Sequence, residues 1–455
     1  MLSRRARENN AWFLEQFKRP LSRQKSKTPS SIDLATAENW LIRSEILSLF
    51  RRNGNAGLKL KHLSYSGGLG GTPELLGGLA KFFNHFFTPE IPVRPEHIVV
   101  GPGCSAVLDT LINDICDEGD GLLVTAPMWG TFEISAVLRN GVRILPVHVP
   151  PHESGSPQAV VEAYRTVANE ATCNVRGILF CNPDNPHGHI STVQVIDALL
   201  QYCEQEDLHF VSDEIYALST FGAIKEDYAG CGEVFESPAS DFVSVLSRDL
   251  RKLGVNSSRV HLIYSISKDF GGSGMRLGCL VTQGNNELRL SQAILNNAKI
   301  CNVASVMVEP VLRDIPKLST LVALNTQRLC DAARIAIQFS ETHGLSYYRP
   351  AAGLYIWVRL SEGCETWDEE EQIVRDCAQR GVLVGSGADY AELRAGWFRL
   401  TFAIPRHDFL KGLRRIEEVM GYKTRFGLGS ATMSDSGLSS WLKFPSFGGL
   451  FLKPT

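Results

Sequence analysis

The chain has 455 residues, of which 44% are hydrophobic and 21% charged, with a formal net charge of -3. That length accommodates one large α/β domain and a second, smaller one. The composition lacks the basic excess of a nucleic-acid binder and the low hydrophobicity of a disordered chain, so charge names no partner.

Residues 1–31 are basic and polar and read as a mobile arm that includes RQKSKTPSS, with order beginning near Ile32. No stretch of about 18 apolar residues occurs, and MLSRRARENNAW has no apolar segment behind its arginines. The 11 cysteines are scattered, odd in number and form no CxxC pair. They fit reduced thiols better than a disulfide framework or a zinc site. A cytoplasmic protein with no metal, no membrane attachment and no nucleic acid is expected.

Residues 32–61 are assigned to the first part of a small domain. From residue 98, short runs of Val, Ile and Leu alternate with helical patterns, as βαβ units around a mostly parallel sheet require. The expected strands are Ile98 to Val100, Gly121 to Thr125, Val142 to Val149, Val175 to Phe180, Leu208 to Val211, Val260 to Tyr264 and Gly278 to Val281. Between them SAVLDTLINDIC, PQAVVEAYRTVANEA and TVQVIDALLQYCEQED space apolar residues at three and four. The fold class is therefore α/β, with a large domain over 62–300 whose sheet is flanked by helices. A long helical stretch and short strands in GLYIWVRL and GWFRLTFA then give a smaller α+β domain over 301–422. Residues 423–455 are rich in Gly and Ser and read as a C-terminal extension.

The strongest chemical segment is YSISKDFGGSGMRLG, Tyr264 to Gly278. A lysine at the carboxyl end of a parallel strand borders the crevice where open α/β sheets bind ligands. Its amine can join an aldehyde once burial or nearby positive charge lowers its pKa. Ser265, Lys268 and Arg276 would bring a hydroxyl and two cations to a phosphate. Three further strand ends carry notable side chains: Asp213 and Tyr216 in LHFVSDEIYALSTF, Asn185 in ILFCNPDNPHGHI, and the aromatic Trp129 in TAPMWGTFEISA. The turn GPGCSAV, with Gly103, Cys104 and Ser105, opens a helix whose backbone N–H groups suit an anion.

Together these segments resemble the class I and II aminotransferases, which use pyridoxal 5′-phosphate (PLP) on fold type I. The lysine segment is similar to the family's S-x-[ST]-K-x-x-x-x-x-G-x-R-x-G signature, and Asn182 to Gly188 to its NPxNPxG motif. The resemblance spans about residues 32 to 422 and implies a role for each residue. Lys268 would carry the cofactor and act as catalytic base, and Asp213 would keep the pyridine nitrogen protonated. Asn185 and Tyr216 would meet the phenolic oxygen, Trp129 would stack on the ring, and Gly103, Cys104, Ser105, Ser265 and Arg276 would hold the phosphate. Tyr65, in LSYSGGLGG, is similar to a tyrosine that reaches the phosphate in the other subunit of a homodimer. Arg399, in GWFRLTFA, would pair with the substrate carboxylate through two parallel hydrogen bonds.

Within the family, DLATAENWL with Glu38 at its acidic position, AGLYIWVRL and the GWFR of Arg399 resemble the 1-aminocyclopropane-1-carboxylate (ACC) synthase subgroup. Glu38 is then expected at the substrate. The plant enzymes place a tyrosine where this chain has Trp129, and indole has no hydroxyl with which to assist ring closure. Transamination of an amino acid or an amino-acid-derived intermediate, of the kind found in fungal secondary metabolism, is the leading expectation. Elimination from S-adenosylmethionine or a cysteine conjugate is the alternative, and a catalytically silent ligand-binding relative is the third.

Overall fold

The structure, a computed structural model, describes residues 2–16, 30–65, 67–224 and 232–427. Residues 17–29 of the expected arm and 428–455 of the expected extension lie outside the described residues. Residues Arg4–Gln16 form a helix where the sequence reads as an arm. Its Asn9 amide donates to the Leu138 carbonyl, and its few apolar side chains, Trp12 to Leu14, are too short a run to show helical periodicity.

The strands run in chain order β1 (Ile32–Asp33), β2 (Ile98–Gly101), β3 (Gly121–Ala126), β4 (Arg143–His148), β5 (Val175–Cys181), β6 (His209–Asp213), β7 (Val234–Phe235), β8 (Val260–Ser265) and β9 (Gly278–Val281). They continue with β10 (Tyr347–Tyr348), β11 (Tyr355–Arg359), β12 (Val382–Leu383), β13 (Gly385–Ser386) and β14 (Trp397–Thr401). Seven of them form one sheet in the order β2-β9-β8-β6-β5-β3-β4. Only β9 runs against its neighbours, so the sheet is mostly parallel and the carboxyl ends of the other six strands share one edge.

The sheet's apolar runs are doubly buried. Leu123, Ile178, Phe180, Phe210, Leu262 and Tyr264 belong to one core, with Phe82 and Phe83 of the helix Pro73–Phe86. Their neighbours Leu122, Val124, Leu179, Val211, Ile263 and Leu280 belong to a second, with Leu108 and Ile112 of the helix Cys104–Ile115. This two-residue alternation with apolar groups on both faces is why these strands read as unbroken hydrophobic segments. Thr72 and Thr192 cap the helices Pro73–Phe86 and Val193–Gln205 by accepting from Leu75 and Val195 N–H groups.

A five-stranded sheet, β13-β14-β11-β10-β7, and the parallel pair β1-β12 enclose another core with the helices Ile315–Thr342 and Arg406–Met420. Ile32, Leu34, Ala37 and Leu41 pack into it. Two segments fall on the other side of the boundaries expected from sequence. The helix Arg43–Gly57 puts Ile46, Leu49 and Phe50 into the large sheet's core beside the helix Asn302–Arg313. The pair β7 leaves the large sheet's stretch of chain to lie parallel to β10. In both cases contacts across a long sequence separation, invisible to local pattern, decide the partner.

Candidate active site

The carboxyl edge of the large sheet meets β12, β13 and the middle of β14 at a cavity of about 720 Å³. Lys268, Asp213, Asn185, Tyr216, Trp129, Cys104, Ser105, Arg276 and Arg399 all line it. Asp213 ends β6 and is buried, with its Oδ1 accepting only the Ile215 N–H, at 3.3 Å. Burial pushes its carboxyl up to about 7, against that hydrogen bond and the charge of Lys268. A buried carboxylate so thinly compensated calls for a cationic partner.

Lys268 lies on the short turn Ile266–Asp269 that follows β8, where Nζ donates to the Ala37 carbonyl at 2.6 Å. Burial, and next the charge of Arg399, bring its amine down to about 8. The turn is fixed from behind by Asp269. Its carboxylate accepts the Leu218 N–H at 3.1 Å, the Ser219 hydroxyl at 2.6 Å and the Tyr264 hydroxyl at 2.9 Å. The bonds from Leu218 and Ser219 tie the lysine turn to the segment that carries Asp213 and Tyr216, and the bond from Tyr264 ties it to β8.

Arg399, on β14, donates from Nη1 to Asn185 Oδ1 at 2.8 Å and from Nη2 to the Ala35 carbonyl at 2.5 Å. Its guanidinium carbon sits 4.9 Å from the ring centres of both Tyr355 and Tyr390, a stacked setting that holds the planar fork in one orientation. Its Nε is buried without a protein partner. Tyr216 meets Tyr355 edge-on at 5.5 Å, and burial raises its phenol well above the ordinary value. Trp129 packs against Phe132 at 5.3 Å.

The anion cradle forms where β2 turns into the helix Cys104–Ile115. Gly103 has φ +89°, and a Cβ there would lie 2.3 Å from Arg276 Nη2. A Cβ on Gly278 would lie 2.6 Å from the Cys104 nitrogen. Only glycine fits either place. Arg276 donates to the Ser273 carbonyl at 2.8 Å and the Pro102 carbonyl at 3.1 Å. Its charge therefore lies beside the unsatisfied N–H groups of the helix's first turn.

Several residues stand apart from their expected places. Ser265 is not on the cavity wall, since its proton goes to the Leu277 carbonyl at 2.9 Å and its oxygen accepts from Ser267, with the two hydroxyls 2.7 Å apart. Ser267 lines the cavity instead. Glu38 lies beside the cavity, committed to Arg43 at 3.0 Å and Ser273 at 2.8 Å. Burial opposes its ionisation, but those two partners outweigh it and hold the carboxyl below its usual range. Gly103 shapes the cradle without forming its wall. Tyr65 is 95% exposed and does not line the cavity of its own chain. Sequence reasoning missed Phe13, Ala35, Ala37, Ser267, Tyr355 and Tyr390. The aromatics of GLYIWVRL hinted only at Tyr355, and backbone carbonyls leave no residue signature.

A lysine amine brought down to about 8, a buried carboxylate, the opening turn of a helix and a fixed guanidinium share one cavity, an arrangement that fits a pyridoxal-phosphate enzyme of fold type I. The chain belongs to the family described as aminotransferase class I and II, which matches residues 58–416. It is 61% identical to "Aminotransferase verI" of Clonostachys rogersoniana, over 98% of this chain and 99% of that protein. It is 42% identical to "Probable aminotransferase gliI" of Aspergillus fumigatus, over 92% and 96%. At 31%, over 78% and 74%, it matches 1-aminocyclopropane-1-carboxylate synthase 7 of Arabidopsis thaliana. The fold matches the aspartate aminotransferase of Thermus thermophilus with maleate, at TM-score 0.70 and 21% identity over 92% and 99% of the two chains. The cofactor is pyridoxal 5′-phosphate.

The lowered pKa of Lys268 has a measurable consequence. Only the neutral amine can attack an aldehyde, so covalent capture of PLP by the apoprotein should quicken about tenfold between pH 7 and 9, through an inflection near 8. Arg399→Gln removes a nearby positive charge and should move the inflection upward. Stopped-flow absorbance over a pH series measures both, and a flat profile across that range would contradict the assignment.

Proposed function

We propose that this chain transfers the amino group of an amino acid or amino-acid-derived intermediate in fungal secondary metabolism. Its membership of the aminotransferase family and its similarity to fungal proteins named aminotransferases support that reading. When bound, PLP supplies an aldehyde for the amino group and a ring that withdraws electrons from the substrate Cα. Arg399 orients the substrate by its carboxylate, using a guanidinium already held by Asn185, Ala35 and two tyrosine rings. The Lys268 amine takes the Cα proton. Asp213 would hold a proton at the pyridine nitrogen, Tyr216 and Asn185 would hydrogen-bond the phenolic oxygen, and Trp129 would cover the ring. Arg276, Ser267 and the N–H groups of Cys104 and Ser105 would receive the phosphate.

The observation that carries this reading is the convergence of Lys268, Asp213 and Arg399 on one cavity. Product-resolved mass spectrometry of the PLP-loaded protein with amino acids, S-adenosylmethionine and cysteine conjugates tests it. Keto acids formed with amino transfer are expected. Release of ACC or a thiol without amino transfer would overturn it in favour of elimination. Exchanging the flat fork for a point charge in Arg399→Lys should lower kcat/KM about 100-fold, chiefly through KM, in steady-state kinetics.

The working form is inferred to be a homodimer. Leu60, Leu63, Tyr65 and Ile294 are all exposed, an apolar set suited to burial against a second copy. None of the described helices is long and apolar enough to cross a membrane. The described free thiols, among them buried Cys104, Cys203 and Cys279, support a reducing, cytoplasmic setting.

A further inference from the structure

A second cavity, of about 390 Å³, lies behind the loop that presents Asn185. Its walls are largely apolar, with Pro127, Val149, Phe180, Ile190, Pro238 and Leu393 among them. Its volume falls in the range of small-molecule sites and far exceeds the space of one ordered water. Among the described residues, one buried polar side-chain atom of its lining has no counterpart: His187 Nε2 has no protein partner.

The neighbours of that ring fix its tautomer. His187 Nδ1 lies 2.7 Å from Asp184 Oδ2, and a carboxylate only accepts, so Nδ1 carries the proton. Whenever the ring is neutral, Nε2 is then a lone-pair acceptor. The ring is clamped flat on Tyr348, with centroids 4.0 Å apart and planes 18° from parallel. Asp184 is itself fixed, taking the His189 N–H on its other oxygen at 2.8 Å. The acceptor is thus rigid and preorganised, and no step of the proposed reaction uses it.

We propose that this cavity binds a small, largely apolar molecule that offers one N–H or O–H donor to His187. The occupant sits next to the catalytic loop. Cys181 lines both cavities, and the Asp184 carbonyl accepts the hydroxyl of Tyr355, one of the rings that stack on Arg399.

Indole and benzofuran make a matched pair of probes, equal in shape, with the N–H replaced by an ether oxygen. In ligand-detected NMR titrations of the PLP-loaded protein at pH 8, indole should bind about tenfold more tightly than benzofuran. His187→Phe keeps the stack on Tyr348 and should erase that preference. Leu393→Trp fills the cavity from a side chain that is 73% exposed, so the core is not disturbed, and should weaken both probes. Equal or tighter binding of benzofuran to the unmodified protein would overturn the proposal, as would absence of indole binding at millimolar concentration. Indole binding that neither substitution alters would place the probe elsewhere and overturn it too.

Discussion

Lys268→Ala should lower turnover by about 10⁴-fold, the upper end of what a positioned acid–base group contributes. The methyl side chain can neither join the aldehyde nor remove a proton from Cα. Because Nζ makes its hydrogen bond to the Ala37 carbonyl, and that carbonyl can take a water in the enlarged cavity, folding should survive the change. Borohydride treatment followed by peptide mapping should label the Tyr264 to Gly278 segment in the unmodified protein and leave it unlabelled in the variant. Undiminished turnover in Lys268→Ala, or a pyridoxyl label on another lysine, would remove the basis for the proposed mechanism.

Asp213→Asn separates electrostatics from shape. The amide is nearly isosteric, but it carries no negative charge to keep a proton on the ring nitrogen, so kcat should fall by roughly 10²–10⁴-fold. Thermal stability of the apoprotein should hold or rise, since burial already penalises the charged carboxylate and pushes it up to about 7. Kinetics and melting curves on the same preparation check both halves. A variant that melts much earlier while keeping its kcat would make Asp213 a structural residue.

The sequence makes the large sheet legible because its strands are buried on both faces, so Val, Ile and Leu accumulate without interruption. The two-residue strands β1, β7, β12 and β13 are too short for any periodicity, and β7 finds β10 only through the tertiary fold. The site shows the same division. Asp213, Asn185 and Lys268 are readable because each sits at, or a few residues beyond, the carboxyl end of an apolar strand. Which of Ser265 and Ser267 faces the cavity depends on a hydroxyl's choice between the Leu277 carbonyl and open space, which no motif encodes. Glu38 shows how a correct neighbourhood can conceal a different engagement, since Arg43 and Ser273 already occupy its oxygens.

Lys268 and Arg276 lie on a single excursion of the chain that leaves β8 at Ser265 and returns to β9 at Gly278, residues paired across the two strands. Arg399 belongs to β14 of the other sheet. On the proposed roles, any parting of the two sheets would therefore slacken the grip on a substrate's carboxylate while both anchors of the coenzyme travelled together. Such an enzyme can let its product go without dropping the tool that made it.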